Sequence, residues 1–368
     1  VGQRVEDQSK WSNFIYNKVE LTTSQSFTSS ETLTIQNTSM RKYILPLLFA
    51  ATLVSCQEGD KKKLPAQSEI QQETMKSEIK INTDHGIQLT SGTIQRIDSF
   101  PSENIQPRPV DIWLPDGYST EKKYAVLYMH DGQMLFDAKT TWNKQEWKID
   151  EWASQLQKEG KTKDFIIVAP HNISRIRWND YYPEKTMDYM TKEDRDAMIA
   201  MGKKNNMNTE LYADEYLLFL TKELKPYIDR NYSVHSDQEN TVIAGSSMGG
   251  LISMYAVSEY PEVYGAAACI STHWPGATVF EGSPFPKAIF DYMREHIPSP
   301  KDHKFYFDYG TKTLDQYYPQ YASTVDQIFE NKGYDSTNFV NRKFEGADHS
   351  ENSWNQRMDI PLTFLLGK

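Results

Sequence analysis

One stretch limits the fold of this chain more than any other. Thr241-Val242-Ile243-Ala244 is short, apolar and rich in β-branched residues, and it runs directly into Gly245-Ser246-Ser247-Met248-Gly249-Gly250. Leu251-Ile252-Ser253-Met254-Tyr255-Ala256-Val257 follows at once, with the composition of a buried helix. A buried strand that turns straight into a buried helix belongs in a sheet covered by helices. A Gly-x-Ser-x-Gly turn in that setting strains its central serine and projects the hydroxyl from the C-terminal edge of the sheet. The glycines at −2 and +2 are expected to remove side chains that would collide there. The helix N-terminus beneath favours negative charge on the serine oxygen. Alone, such a pentapeptide carries little information; strand before and helix after are what give it weight.

The chain from residue 90 onward agrees. Its pattern predicts strands over 92–99, 109–114, 124–130, 164–169, 241–245, 265–270, 304–309 and 339–344. It predicts helices over 146–159, 209–230, 248–259, 286–296, 316–332 and 351–366. The first strands come without a helix between them, and afterwards strands and helices alternate. That order predicts an α/β fold with a mostly parallel central sheet and helices on both faces. The segment 172–208 interrupts it, with Arg175, Arg177, Trp178, Tyr181, Tyr182 and Pro183, then Met187, Met190, Met198, Met201 and Met207. It reads either as a surface insertion or as a lid over the site, for which adaptable methionines are suited.

Serine is a weak nucleophile and needs a base. In the α/β-hydrolase arrangement the order along the chain is serine, acid, histidine. His349, in Gly346-Ala347-Asp348-His349-Ser350-Glu351, lies between the last predicted strand and the last helix, where that arrangement carries its histidine. His273 and His303 compete less well, one too early and one at the wrong strand end. The acid should follow the strand 304–309. Asp308 and Asp315 are both candidates; Asp315 is favoured because it lies beyond a Gly-Thr turn, on the loop that can reach a histidine. Two backbone N–H groups should form an oxyanion hole. Met248, after the serine, supplies one, and Gln133, in Met129-His130-Asp131-Gly132-Gln133-Met134, supplies the other.

Tyr128-Met129-His130-Asp131-Gly132-Gln133, Gly245-Ser246-Ser247-Met248-Gly249-Gly250, Tyr309-Gly310-Thr311 and Gly346-Ala347-Asp348-His349-Ser350-Glu351 resemble the motifs of the putative-esterase family. That family includes esterase D, enterochelin esterases, feruloyl esterases and mycolyltransferases. The resemblance spans roughly residues 90–368. It implies an α/β-hydrolase fold with Ser247 as nucleophile, His349 as base and an acid after Gly310. Family members with a shorter turn carry the acid nearer that glycine. Lys312 and Thr313 occupy those places here, which leaves Asp315.

The N-terminus bears on location. Met40-Arg41-Lys42 precedes an apolar run, 43–55, that ends Leu53-Val54-Ser55-Cys56. Such a run is short for a membrane span and reads as a secretory signal. Its end resembles the bacterial lipobox, which implies cleavage before Cys56 and lipidation there. The expected organisation is therefore a non-native or disordered extension over 1–39, a lipoprotein signal over 40–55, a flexible polar linker over 56–89 and a catalytic domain over 90–368. The protein would sit in a bacterial cell envelope, its only link to the membrane a lipid anchor.

Composition narrows the partners. The net charge is −10 and no basic block is present, which disfavours nucleic-acid binding. The two cysteines, Cys56 and Cys269, cannot build a disulfide framework, and no zinc-ligand spacing occurs, so neither metal nor cofactor is expected. The substrate is expected to be a small-molecule or oligosaccharide ester. Trp178 and Trp274 suit stacking on sugar or phenolic rings, as do Trp142, Trp147, Tyr181 and Tyr182. Arg175 and Arg177 could bind an anionic group. Hydrolysis of a carboxylic ester, on an acylated carbohydrate or phenolic ester, is the leading expectation. Acyl transfer through the same triad and siderophore-trilactone cleavage are the alternatives, with a non-catalytic carbohydrate-binding module behind them.

Overall fold

The computed structural model describes residues 79–206 and 208–368. The expected extension (1–39), signal segment (40–55) and lipid-bearing Cys56 lie outside them.

Eight strands form one sheet in the order β1-β2-β4-β3-β5-β6-β7-β8. They are β1 (Thr93–Phe100), β2 (Arg108–Leu114), β3 (Ala125–Met129), β4 (Phe165–Pro170), β5 (Thr241–Ser246), β6 (Ala266–Ile270), β7 (Lys304–Tyr309) and β8 (Phe339–Lys343). β1 pairs with β2, and β2 with β4, antiparallel; every pairing from β4 through β8 is parallel. The central strands β3 to β6 are buried along their whole length. Strands covered on both faces must be continuously apolar, as Ala125-Val126-Leu127-Tyr128-Met129 is.

Alternate residues feed two cores. Val126 and Tyr128 of β3 pack with Tyr216, Leu251, Ile289 and Ile328 on one face. Ala125, Leu127 and Met129 pack with Ile149, Leu156, Leu362 and Leu366 on the other. The helices are α1 (Ile149–Lys158), α2 (Arg177–Tyr181), α3 (Lys192–Lys204), α4 (Ala213–Leu218), α5 (Lys225–Asn231), α6 (Met248–Glu259), α7 (Phe285–His296), α8 (Ala322–Asn331), α9 (Glu351–Asn355) and α10 (Asp359–Leu366). α1, α9 and α10 cover the second face; α4 to α8 cover the first.

Three expected helices are interrupted, and proline marks each place. The helix expected over 209–230 passes through a wider π segment, Phe219–Leu224, just before Pro226 in the first turn of α5. Proline there lacks a donor and its ring would strike the carbonyl four residues back, which a widened turn relieves. The helix expected over 351–366 divides into α9 and α10 ahead of Pro361. The helix expected over 316–332 begins only at Ala322, after two short 3-10 turns, the second opening at Pro319.

The linker expected over 56–89 is also shorter than composition suggests at its described end. Asn82 exchanges backbone hydrogen bonds of 2.7 and 2.9 Å with Arg96 of β1. The amide of Gln88 donates to Asp137, and Ile87 and Leu89 pack against the second core. Polar composition hid two apolar anchors and a bridge.

Candidate active site

β5 ends at Ser246 and α6 begins at Met248, so Ser247 is the turn. Its φ of 59° and ψ of −119° lie where side-chain-bearing residues rarely go. A conformation of that kind costs on the order of 1–3 kcal/mol and needs surrounding ties to hold it. They are present: the Ser247 amide donates to the Ile270 carbonyl at 2.9 Å, and the Ser247 carbonyl accepts from Gly250 at 3.0 Å and His273 at 3.2 Å. Gly245 is required, because a Cβ there would lie 2.8 Å from the Gly249 carbonyl oxygen and 2.9 Å from the His130 ring. Gly249 differs from expectation, since a Cβ there would meet nothing nearer than 3.5 Å. Met248 opens the helix, so its N–H is among the first-turn donors with no partner inside the helix.

The loops after β7 and β8 are laced together. The Thr311 and Lys312 amides donate to the Ala347 carbonyl at 2.9 and 3.0 Å, and the His349 amide donates to Thr313 Oγ1 at 2.8 Å. This lacing delivers His349 to Asp315: Nδ1 donates to Oδ1 at 2.5 Å. Asp315 Oδ2 accepts from the Gly310 amide at 2.6 Å and from Ser271 Oγ at 2.7 Å. Burial works against its charge, yet His349, Ser271 and the Gly310 amide together hold the Asp315 carboxyl below its ordinary value. A carboxylate on Nδ1 fixes the tautomer and leaves Nε2 as a lone-pair acceptor. The His349 ring stands edge-on to Trp354 at 5.0 Å and to Tyr318 at 6.0 Å.

The other candidates are committed elsewhere. Asp308 takes a bidentate pair from Arg357, Nε to Oδ2 at 3.0 Å and Nη2 to Oδ1 at 2.9 Å, and also accepts from Tyr306 Oη and the Ser271 amide. His273 donates Nε2–H to the Ala277 carbonyl and accepts from Tyr318 Oη on Nδ1; burial pushes its pKa down to about 4. His303 spans the carbonyls of Ser299 and Pro261 at the opposite sheet edge.

The loop after β3 lies against the serine turn. Asp131 turns the chain with φ 61°, and Gly132 lets it pass close to β4: a Cβ there would sit 2.3 Å from the Ala169 carbonyl oxygen. Gln133 follows in the short 3-10 turn Gly132–Met134, and its side-chain carbonyl accepts from the Asn172 amide. Arg177 grips Asp131 with Nε to Oδ1 at 2.8 Å and Nη2 to Oδ2 at 2.6 Å, and Nη2 also reaches the Ser246 carbonyl at 3.3 Å. Despite burial, the Arg177 guanidinium holds the Asp131 carboxyl below its ordinary value. His130 beside it is pushed down to about 3 by burial, so it stays neutral.

A model of the putative-esterase family matches residues 103–362. The chain belongs to the putative-esterase family. It is 24% identical over 276 residues to an endo-1,4-beta-xylanase/feruloyl esterase of Xylanibacter ruminicola, across 74% of this chain and 31% of that one. The chain spans less than two thirds of the length of the curated relatives it matches. Among solved structures, a ferulic acid esterase superposes with TM-score 0.52 at 19% identity, covering 75% of this chain and 98% of its own. An IroE-like serine hydrolase from Shewanella oneidensis superposes with TM-score 0.51 at 18% identity, covering 74% and 79%. These likenesses, with the sheet order above, establish the α/β-hydrolase fold of this family member.

The residues expected to bind substrate fare differently. Trp274 is core, buried between Phe290 of α7 and Phe307 of β7 at 5.2 and 5.6 Å. Trp178 is an anchor: its indole donates to the Gly276 carbonyl at 2.8 Å and its ring stacks on Tyr182. Arg175 donates to Gln106 and lines a cavity of about 540 Å³ with Asp180, Asn208 and Tyr212, and neither Ser247, Asp315 nor His349 lines that cavity. The first part of the 172–208 insertion is built into the domain, with Tyr181, Tyr182 and Thr186 fully buried. Among the described residues, no group of three His, Cys, Asp or Glu side chains is placed to hold a metal.

Ser271, Trp354 and Arg357, which surround Asp315, were not foreseen. Trp354 and Arg357 lie three apart just after His349, and an arginine on the apolar face of a predicted helix was the available signal.

Proposed function

We propose that this chain is a serine carboxylic-ester hydrolase that works through an acyl-enzyme on Ser247. The observation that carries the reading is the Asp315–His349 hydrogen bond at the same sheet edge as the strained Ser247 turn. His349 Nε2 takes the Ser247 proton as Oγ attacks the ester carbonyl. Asp315 fixes the tautomer and stabilises the imidazolium. The Met248 and Gln133 amides hold the oxyanion, and the imidazolium returns its proton to the leaving alcohol. Water, activated by the same histidine, then releases the acid.

For the substrate we propose an acylated carbohydrate or a phenolic ester. A relative named as a xylanase/feruloyl esterase supports this, and so does Trp142. Trp142 is 61% exposed on the loop whose Asn143 donates to Glu351, two residues past His349. The proposal includes an envelope location through lipid on Cys56, read from the Arg41–Cys56 sequence alone.

A fluorophosphonate probe should label Ser247 alone, and feruloylated or acetylated xylo-oligosaccharides should be hydrolysed faster than a trilactone siderophore. Labelling that persists in Ser247→Ala would sink the nucleophile. Trilactone preference would replace the substrate class. Mass spectrometry of native protein that finds an unmodified Cys56 would remove the anchor without touching the chemistry.

A further inference from the structure

Ser271 follows β6 with φ 42°, a left-handed conformation that a residue with a side chain adopts only when it is held there. What holds it is a set of hydrogen bonds to β7, the loop after it, α9 and the α9–α10 turn. Its amide donates to Asp308 Oδ1 at 3.1 Å. Its hydroxyl lies 2.7 Å from Asp315 Oδ2, 2.9 Å from Trp354 Nε1 and 3.2 Å from Arg357 Nη2. A hydroxyl has one proton and two lone pairs. The indole and guanidinium nitrogens carry hydrogens and have nothing to accept with, so both lone pairs are taken. The one remaining proton has one place to go.

We propose that Ser271 is a positioning residue for the Asp315–His349 pair, its hydroxyl proton aimed at the Asp315 carboxylate by Trp354 and Arg357. The inference rests on the proposed triad. Three things follow from the geometry. Asp315 is pinned on both oxygens, with His349 on Oδ1 and Ser271 and the Gly310 amide on Oδ2, so it cannot rotate. Arg357 is itself fixed by its fork on Asp308, which gives Asp308 a purpose as the anchor of the guanidinium rather than as the acid. The buried positive charge also draws electron density through Ser271 away from Asp315, and this moderates how strongly the carboxylate favours protonation of His349.

The charged and titratable groups that face this pair are few. His349 meets Asp315 from the loop after β8. Arg357 comes from the turn between α9 and α10, and Asp308 and Tyr306 from β7. His273, neutral, and Tyr318 close the side nearest Ser247, with Arg177 beyond. Against that setting, loss of the Ser271 hydroxyl has two effects. The carboxylate gains freedom, so the plateau rate falls. It also becomes a better partner for the imidazolium, so the acid limb of kcat/KM moves up.

The test is the pH profile of kcat/KM for p-nitrophenyl acetate with wild type, Ser271→Ala, Trp354→Phe and the double variant. Ser271→Ala should lower the plateau about tenfold or more and raise the acid limb by about half a unit or more. Trp354→Phe keeps the ring against His349 and removes only the N–H, so it should move both in the same direction by less. The double variant should be no worse than Ser271→Ala, because the indole acts through that hydroxyl. A wild-type plateau and acid limb in Ser271→Ala overturns the proposal, and so does full additivity. If Ser271→Ala fails to fold, an unmoved acid limb in Trp354→Phe overturns it. Ser247→Ala run alongside separates the two readings: residual turnover there removes the triad, whereas an inactive Ser247→Ala beside an unaltered Ser271→Ala removes only the positioning role.

Discussion

The loops that follow β4 and β7 leave the same edge of the sheet, and both are rich in charged and aromatic residues, yet they use them in opposite ways. After β7 the polar groups converge on one carboxylate that hands its remaining valence to a histidine. After β4 the main polar contacts end on structural partners. Asn172 and Arg177 close on Asp131, Asp180 pairs with Arg108, Trp178 reaches Gly276, and Asn179 donates to the carbonyls of Asn208 and Glu210. The proposed chemistry needs a side chain with a valence left over. His349 Nε2 has one, whereas the Arg177 fork is spent on Asp131.

The largest effects should separate Asp315 from Asp308, which lie on either side of the Gly310 turn. Asp315→Asn should lower kcat by roughly 10⁴, since the wrong tautomer of His349 is then favoured. Asp308→Asn should retain much more activity but lose about 3 kcal/mol of stability, because the buried Arg357 guanidinium loses its counter-charge. Steady-state kinetics and urea denaturation of both variants decide it. An inactive, stable Asp308→Asn beside an active Asp315→Asn would invert the assignment.

A second comparison moves to the β4 side. Arg177→Gln leaves the Asp131 carboxylate with Asn172 but without its cation. The Arg177 side chain keeps some exposure, so the loss should be nearer 2 than 5 kcal/mol at neutral pH. The pH dependence has a definite sign. Asp131 is held below its ordinary value of 3.8 in the folded protein, so the pair contributes fully above that value and is lost as pH falls through the lowered one. The stability gap between wild type and Arg177→Gln should therefore narrow toward pH 3. A gap that is constant with pH would mean the arginine acts through packing on Tyr181, 5.0 Å away, rather than through charge.

The sequence carried the parts of this molecule that depend on local pattern. Continuous apolar strands, the Gly-x-Ser-x-Gly turn between β5 and α6 and the placement of Asp315 and His349 are all written in neighbouring residues. Other features depend on where distant residues meet. Nothing near Trp274 in the chain says that Phe290 and Phe307 will bury it, and nothing near Arg177 points to Asp131, forty-six positions earlier. Ser271 is the extreme case, a common residue type in no motif whose surroundings come from β7, the Asp315 loop and the α9–α10 turn. Helix interruptions lay between these extremes: Pro226, Pro319 and Pro361 were visible, but periodicity around them outweighed their meaning.

The smallest effect should come from Glu184, the β4-side counterpart of Asp315. Both are carboxylates drawn out of full contact with water, and their environments push them in opposite directions. Asp315 gathers donors and is drawn down, whereas burial pushes Glu184 up to about 7, with Asp214 and Glu215 adding repulsion. Its Oε2 is buried with no hydrogen-bond partner. A carboxyl whose folded value is raised keeps its proton between about pH 4.5 and 7 while the unfolded chain has released it. Stability is therefore lost as pH rises through that window, and the loss is complete above it. Glu184→Gln is neutral throughout and removes the loss. The variant should match wild type near pH 4.5 and exceed it modestly at pH 8 in denaturation midpoint, with ester turnover unchanged at both. Equal stability at pH 8 would show that solvent reaches Glu184 well enough to cancel the effect. A fall in turnover would show that the β4 loop contributes to the chemistry after all, and the contrast between the two loops would no longer hold.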